Sequence, residues 1–389
     1  MPSTLTPRSQ ARLASNPGPF PPPPGPSNRA LQLDGLRCFA VMIVVWGHEV
    51  AGHVLAGFGV NGIGIYGAWL FFVLSGFLIT GILLRERDNP AAAKRGHSNF
   101  LRSFYARRML RIAPAYFVLV LVLAVFDLVP DIRRDLVGHL TYMSNWVMFV
   151  RNKFSLGVGS FWTLAVEFHF YLVWPFVILF ASKRRLPWIL ACVVAVAVIF
   201  RGVMVSFFVT PVRVAVPTFA SMDCLALGSL LAWHVHTHPE NKPSRNRAMT
   251  IALVSGLALI AVTFVLSFAV GQGYRLFAMI EALGMGLVSV FLVGHAASGF
   301  RGLTGKVLSF KPIVYIGTVS YGIYLYHGPI NWGLRNWPGG PAIGRMFGAE
   351  TNGWQRFVFV SILSIAIASV SWFALELPML DLKRKFPYS

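Results

Sequence analysis

Arg37 and His48 lie eleven positions apart in the first long apolar stretch of the chain, where ionisable side chains are costly. On an α-helix that spacing is about 20° from three whole turns, with a rise of about 16 Å. Both side chains then leave one face, Arg37 near one membrane surface and His48 past the midplane. Asp34 stands one turn before Arg37 and can hold its guanidinium. An imidazole titrates near neutral pH, so His48 is suited to take a proton from an attacking hydroxyl. Taken singly, Arg37 is also explained by snorkelling to the interface and His48 by a bond to a neighbouring helix. As an aligned pair facing a wet channel they fit those explanations less well. Glu49 points roughly 100° away and reads as a structural partner.

Other ionisable groups fall in apolar segments: Glu167 and His169, Arg201, Asp223, Glu281 and His295, His327, and Glu376. Arg107, Arg108 and Arg111 cluster beside a further apolar segment. They can anchor the chain against anionic lipid, or cradle the phosphates of a cytosolic ligand with fork-like hydrogen bonds. The histidines at 234, 236 and 238 alternate and read as a solvated loop rather than a metal site. No GxSxG, HExxH or CxxC pattern occurs, which removes the common soluble hydrolase and zinc readings. Cys38, Cys192 and Cys224 read as small buried hydrophobes.

These residues need a frame, and composition supplies its class. Hydrophobic residues make up 56% of the 389 and charged residues 12%, against about 25% charged in a soluble domain. The reading is an all-α integral membrane protein, a bundle of about ten transmembrane helices. The expected spans are 33–53, 62–84, 112–130, 160–181, 188–208, 217–235, 249–270, 276–297, 313–334 and 357–378. The short apolar segment 136–149 reads as re-entrant or interfacial. With the N-terminus in the cytoplasm, twenty-three of the 34 basic residues face the cytoplasm and nine the outside, Arg37 and Arg201 lying within spans. That asymmetry supports an even span number and two cytoplasmic termini. It also accounts for the net charge of +20 without nucleic acid. Residues 1–30, with Pro17, Pro19, Pro21 to Pro24 and Pro26, read as a disordered cytoplasmic tail. Residues 31–382 form the membrane domain, and 383–389 a short basic cytoplasmic tail.

Six segments, in order, resemble the membrane-bound acyltransferase 3 family, which includes bacterial O-acetyltransferases of surface sugars. Leu33-Asp-Gly-Leu-Arg37 with His48 is similar to its arginine–histidine signature. Phe71 to Ile79 is similar to its second-helix motif, and Arg107 to Pro114 to its arginine motif. Phe161 to Pro175 resembles its tryptophan–glutamate block, with Glu167 and Tyr171. Asp223 to Gly228, and Ser320 to Pro329 with Tyr324 and His327, fit later blocks. The resemblance implies an acyl-CoA co-substrate, typically acetyl-CoA, bound from the cytosol, and a carbohydrate or glycolipid acceptor, with no metal. Carried over, His48 is the catalytic base, Arg37 binds or polarises the donor, and Glu167 orients the site. Arg107, Arg108 and Arg111 hold coenzyme A phosphates. Asp34, Tyr171, Asp223, Ser320, Tyr324 and His327 support them.

Phe168 and His169 stand where members commonly carry a second acidic or amide residue, which leaves the detailed role of that block open. Many members carry a C-terminal SGNH esterase-like domain. This sequence stops eleven residues after Pro378, so a transfer step assigned to such a domain is expected to be absent here or to fall to another protein. The expected location is the bacterial inner membrane, as a multi-pass protein among membrane lipids. The rival reading is a transporter or flippase of a lipid-linked sugar or small anion. Transporters often repeat their halves, and the charged positions of the first five spans are not echoed in the last five.

Overall fold

The computed structural model describes residues 28–51, 62–90, 96–208, 210–239, 241–269, 273–348 and 353–387. Residues 1–27, most of the proline-rich tail, lie outside them, as do 52–53 of the first expected span, 270 of the seventh, and 349–352 between the ninth and tenth. The described residues form helices and turns, with no strand among them. Among the described residues, eight helices are long and apolar enough to cross a membrane. Side chains such as Val118, Val122, Ile199, Val254 and Ile362 lie exposed on their outer faces, as expected where lipid is the solvent.

The first expected span is helix α1 (Asn28–Trp46), which continues as a π-turn over Gly47–Ala51. It carries Asp34, Arg37, His48 and Glu49 and is outside the eight. Helix α2 (Gly64–Asp88) is central and packs against α1 and three later helices. Helix α3 (His97–Val125) starts fifteen residues before the expected span of 112–130. Gly96, with φ of 80°, stands before its first residue, and the polar residues that follow belong to the same helix as the apolar half. Hydropathy marks where a helix can meet lipid, and intrahelical hydrogen bonding extends it beyond that limit.

The segment 136–149 folds as two short helices, α4 (Leu136–Leu140) and α5 (Ser144–Arg151). Tyr116 Oη donates to the His139 carbonyl (2.8 Å), and His139 Nδ1 lies 2.8 Å from Ser144 Oγ. Burial holds the His139 imidazole down at about 4, so it stays neutral. Then come α6 (Phe161–Phe180), α7 (Leu186–Phe207), the short α8 (Pro211–Ala215) and α9 (Met222–Thr237). The long α10 (Lys242–Ala269) and α11 (Gly273–Ser298) pack on each other. Helix α2 meets α9 at glycines from both sides: a Cβ on Gly76 would strike the Leu225 carbonyl, and one on Gly228 that of Val73. Such small-residue crossings let membrane helices approach backbone to backbone.

The ninth expected span, 313–334, is broken. After α12 (Gly302–Leu308), α13 (Lys311–Thr318) ends at Val319 and α14 (Ser320–Asn336) starts anew. Helix α14 has 17 residues, carries His327 and Arg335, and is also outside the eight. Helix α15 (Gly340–Met346) leads to α16 (Trp354–Ser371), a π-turn over Trp372–Glu376, α17 (Leu377–Asp381) and a 3-10 turn at Leu382–Lys385. Two apolar clusters form the interior. One centres on α2, α6, α9 and α11, the other on α3, α14, α16 and the second half of α1. Phe71 packs against both.

Candidate active site

Between these clusters lies a cavity of about 360 Å³. Its longest wall is one face of α2, where Ala68, Phe71, Phe72, Ser75, Leu78, Ile79 and Ile82 recur at three- and four-residue spacing. A stripe of α6, Thr163, Glu167 and Tyr171, runs along it four residues apart, spanning about 12 Å. Arg107, Arg108 and Arg111 of α3, Arg37 of α1, and Ser320, Tyr321 and Tyr324 of α14 complete it, with Lys383 from the 3-10 turn.

Five cations face this space and Glu167 is the one carboxylate among the lining residues. Arg37 Nη1 donates to Asp34 Oδ1 at 2.5 Å, one turn away, so one guanidinium is balanced. Arg108 lies over the rings of Phe104 and Tyr171, at 5.7 and 6.0 Å, with its Nε buried and without a hydrogen-bond acceptor. Glu167 accepts hydrogen bonds from Ser75 Oγ and Tyr171 Oη. One end of the cavity is therefore rich in positive charge beside an apolar wall, a setting that favours an anion with an organic arm.

At the other end of the α6 stripe, Thr163 Oγ1 donates to the Ser160 carbonyl (2.9 Å), so Tyr324 Oη is the donor in its 2.7 Å bond to Thr163. The Tyr324 ring stands edge-on to His327, 5.7 Å away, and His327 Nε2 lies 2.9 Å from His48 Nδ1. Arg37 thus lines the cavity, while His48 lies beyond Tyr324 and His327 and is not among the lining residues. The π-turn at Gly47–Ala51 carries His48 out of a simple α-helical register. Such turns recur at functional sites.

Of the residues singled out from sequence, Arg37, Arg107, Arg108, Arg111, Glu167, Tyr171, Ser320 and Tyr324 share the cavity wall. Asp34 reaches it through Arg37. Asp223 is not on that wall; its carboxylate pairs with Arg201 at 2.7 Å, both buried, and Arg201 Nε also donates to the Met279 carbonyl. Glu49 pairs with Arg356 Nε at 2.9 Å, both buried, and accepts from Asn331 Nδ2. Ser75, Thr163 and Lys383 are site residues that sequence reading passed over. Ser75 lay inside the quoted second-helix motif, and Lys383 in a basic run read only as a marker of topology. Arg107 Nη1 donates to the carbonyls of Lys383 (3.2 Å) and Phe386 (3.0 Å), which draws that run back onto α3.

The peptidoglycan O-acetyltransferase OatA of Listeria monocytogenes is 30% identical over 252 residues, covering 59% of this chain and 40% of that protein. The O-acetyltransferase OatA of Staphylococcus aureus is 31% identical over 246 residues, covering 59% and 41%. The chain thus matches less than half the length of these relatives. No solved structure matches it. The family model for an acyltransferase domain matches residues 31–373, from the first turn of α1 into the π-turn after α16, and so takes in every lining residue of the cavity but Lys383. The chain belongs to the acyltransferase 3 family and is an acyltransferase.

Proposed function

We propose that the protein moves an acetyl or other short acyl group from cytosolic acyl-CoA to a hydroxyl of a carbohydrate or glycoconjugate, working as a ten-span protein of the bacterial cell membrane with both termini in the cytoplasm. The observation that carries this is the cavity: a cluster of cations at one end and, at the other end of the Tyr171–Glu167–Thr163 stripe, Tyr324 in contact with His327 and through it His48. In this reading the donor's phosphates lie on Arg107, Arg108 and Arg111, with Lys383 beside them. Its pantetheine arm follows the Tyr171–Glu167–Thr163 stripe, and Arg37, held by Asp34, orients the donor. His48 takes the proton of the acceptor hydroxyl, whose oxygen adds to the thioester carbonyl. The carbon–sulfur bond then breaks and coenzyme A leaves as its thiolate. The names of the relatives favour peptidoglycan among the acceptors.

His48→Ala and Arg37→Lys in membranes supplied with labelled acetyl-CoA test this reading. General base catalysis contributes about 10²–10⁴-fold, so loss of His48 should lower acyl transfer by at least about a hundredfold. Normal transfer by both variants at normal protein levels contradicts it. A transporter moves its substrate without releasing coenzyme A, so thiol release separates the two classes.

A further inference from the structure

We propose that His327 is a positioning residue: it holds His48 in the tautomer whose Nε2 lone pair is free, leaving that nitrogen as the proton acceptor. The inference rests on reading His48 as the base, and deepens it.

The assignment follows from hydrogen-bond inventory. His327 Nδ1 lies 2.8 Å from the Tyr324 carbonyl and 3.3 Å from that of Ile323, one turn back on α14. Carbonyl oxygens only accept, so this nitrogen carries the hydrogen. A neutral imidazole has one N–H, which leaves His327 Nε2 as an acceptor. His48 Nδ1, 2.9 Å away, must then be the donor, and the lone pair of His48 falls on Nε2. The rings are parallel to within 9° with centroids 5.1 Å apart, close to the greatest separation that a 2.9 Å nitrogen–nitrogen contact allows. With one nitrogen from each ring in contact, that geometry is an edge-to-edge hydrogen bond rather than face-to-face stacking.

Exposure separates the two roles. His327 is buried, at 1% exposure, whereas the His48 side chain keeps accessible surface. The buried ring is the anchor and the open ring can meet a reactant. A second contact fixes the same turn: Asn331, one helical turn after His327 on α14, donates to Glu49 Oε1 at 2.5 Å. Consecutive residues of the π-turn are therefore gripped by side chains one turn apart. The charged and titratable groups around the pair are Glu49, already paired with Arg356, and Tyr324, whose hydroxyl bonds Thr163. In the reaction the hydroxyl proton passes to His48 Nε2, and His48 Nδ1–H keeps its bond to His327 while the ring is charged. The proton then leaves Nε2 for the departing thiolate.

The test compares His327→Gln, whose amide oxygen can occupy the place of Nε2, with His327→Leu, which has no acceptor. The full chain in proteoliposomes is treated with diethyl pyrocarbonate, which acylates unprotonated imidazole nitrogens, and modified sites are read by mass spectrometry. In the unaltered protein His48 is expected to react and His327 to be spared. His48 should react several-fold more slowly in the Leu variant and at the original rate in the Gln variant. Turnover is read as thiol released from acetyl-CoA with peptidoglycan fragments as acceptor. There kcat should fall about a hundredfold in the Leu variant with little change in KM for acetyl-CoA, and the Gln variant should recover most of it.

Equal labelling of His48 in all three proteins overturns the proposal. So does a Gln variant as impaired in labelling as the Leu variant while both remain folded and membrane-inserted. If His48→Ala keeps full turnover, the base reading fails instead, and the labelling result still decides the tautomer.

Discussion

At the scale of single residues, the buried charges divide by what they touch. Glu49 and Arg356 are at 0% and 1% exposure and face each other away from the cavity. Removing one partner of such a pair strands the other, a cost of about 3–5 kcal/mol, whereas replacing both with apolar residues is often neutral. Arg356→Met should therefore destabilise the protein by about that amount, and adding Glu49→Leu should recover much of it. Thermal unfolding in detergent checks both, and equal loss in the single and double variants contradicts the assignment. Sequence reading could mark Arg37, His48 and Glu167 because a charge in an apolar run is conspicuous. It could also turn Glu49 aside, since its angle on the helix differs from that of His48. It could not find Arg356, 307 residues away, as the partner, because long-range pairing leaves no local pattern. Ser75 and Thr163 were hidden for another reason: hydroxyls are ordinary in membrane helices, and only the fold aims them at Glu167 and Tyr324.

At the scale of elements, the informative departures are breaks and extensions of helices. The stop at Val319 sets Ser320 at the start of a new helix facing the cavity. Hydropathy carried 313–334 as one span because apolar residues lie on both sides of that stop. The early start of α3 puts the arginines on the same rigid helix as the apolar segment they flank, so their spacing toward the cavity is fixed. The 3-10 turn after α17 bears most on the proposed donor site. It packs on α3 through Arg107, and Arg102 lies over the Phe386 ring at 5.9 Å. It is therefore a wall of the cavity, with Lys383 turned inward. Replacing Lys383 by Ala should raise KM for acetyl-CoA about tenfold, or about 1.4 kcal/mol, with kcat nearly unchanged. Steady-state kinetics over a range of donor concentrations reads the split. A fall in kcat at unchanged KM would move Lys383 out of the donor site.

At the scale of the whole molecule, the apolar composition and the long hydrophobic runs were enough to read a helical membrane bundle. Among the described residues each expected span overlaps helix, because a chain crossing lipid must satisfy its backbone internally, and eight helices are long and apolar enough to cross. The positions of the two interior clusters, and the cavity between them, were beyond reach. They depend on which helices touch, and a hydropathy profile is silent on neighbours. That arrangement sets the basic cluster of α3 and the His48–His327 pair at opposite ends of the Tyr171–Glu167–Thr163 stripe, and in the proposed reading the reaction is an exchange between those two ends. The most direct check is mass spectrometry of cell-surface glycans from cells lacking this protein, complemented with either the unaltered chain or His48→Ala. The account predicts ester-linked acyl groups, labile to mild base, on one glycan class with the unaltered chain, and their absence with no chain or with His48→Ala. Equal acylation of every glycan class in all three strains would contradict it.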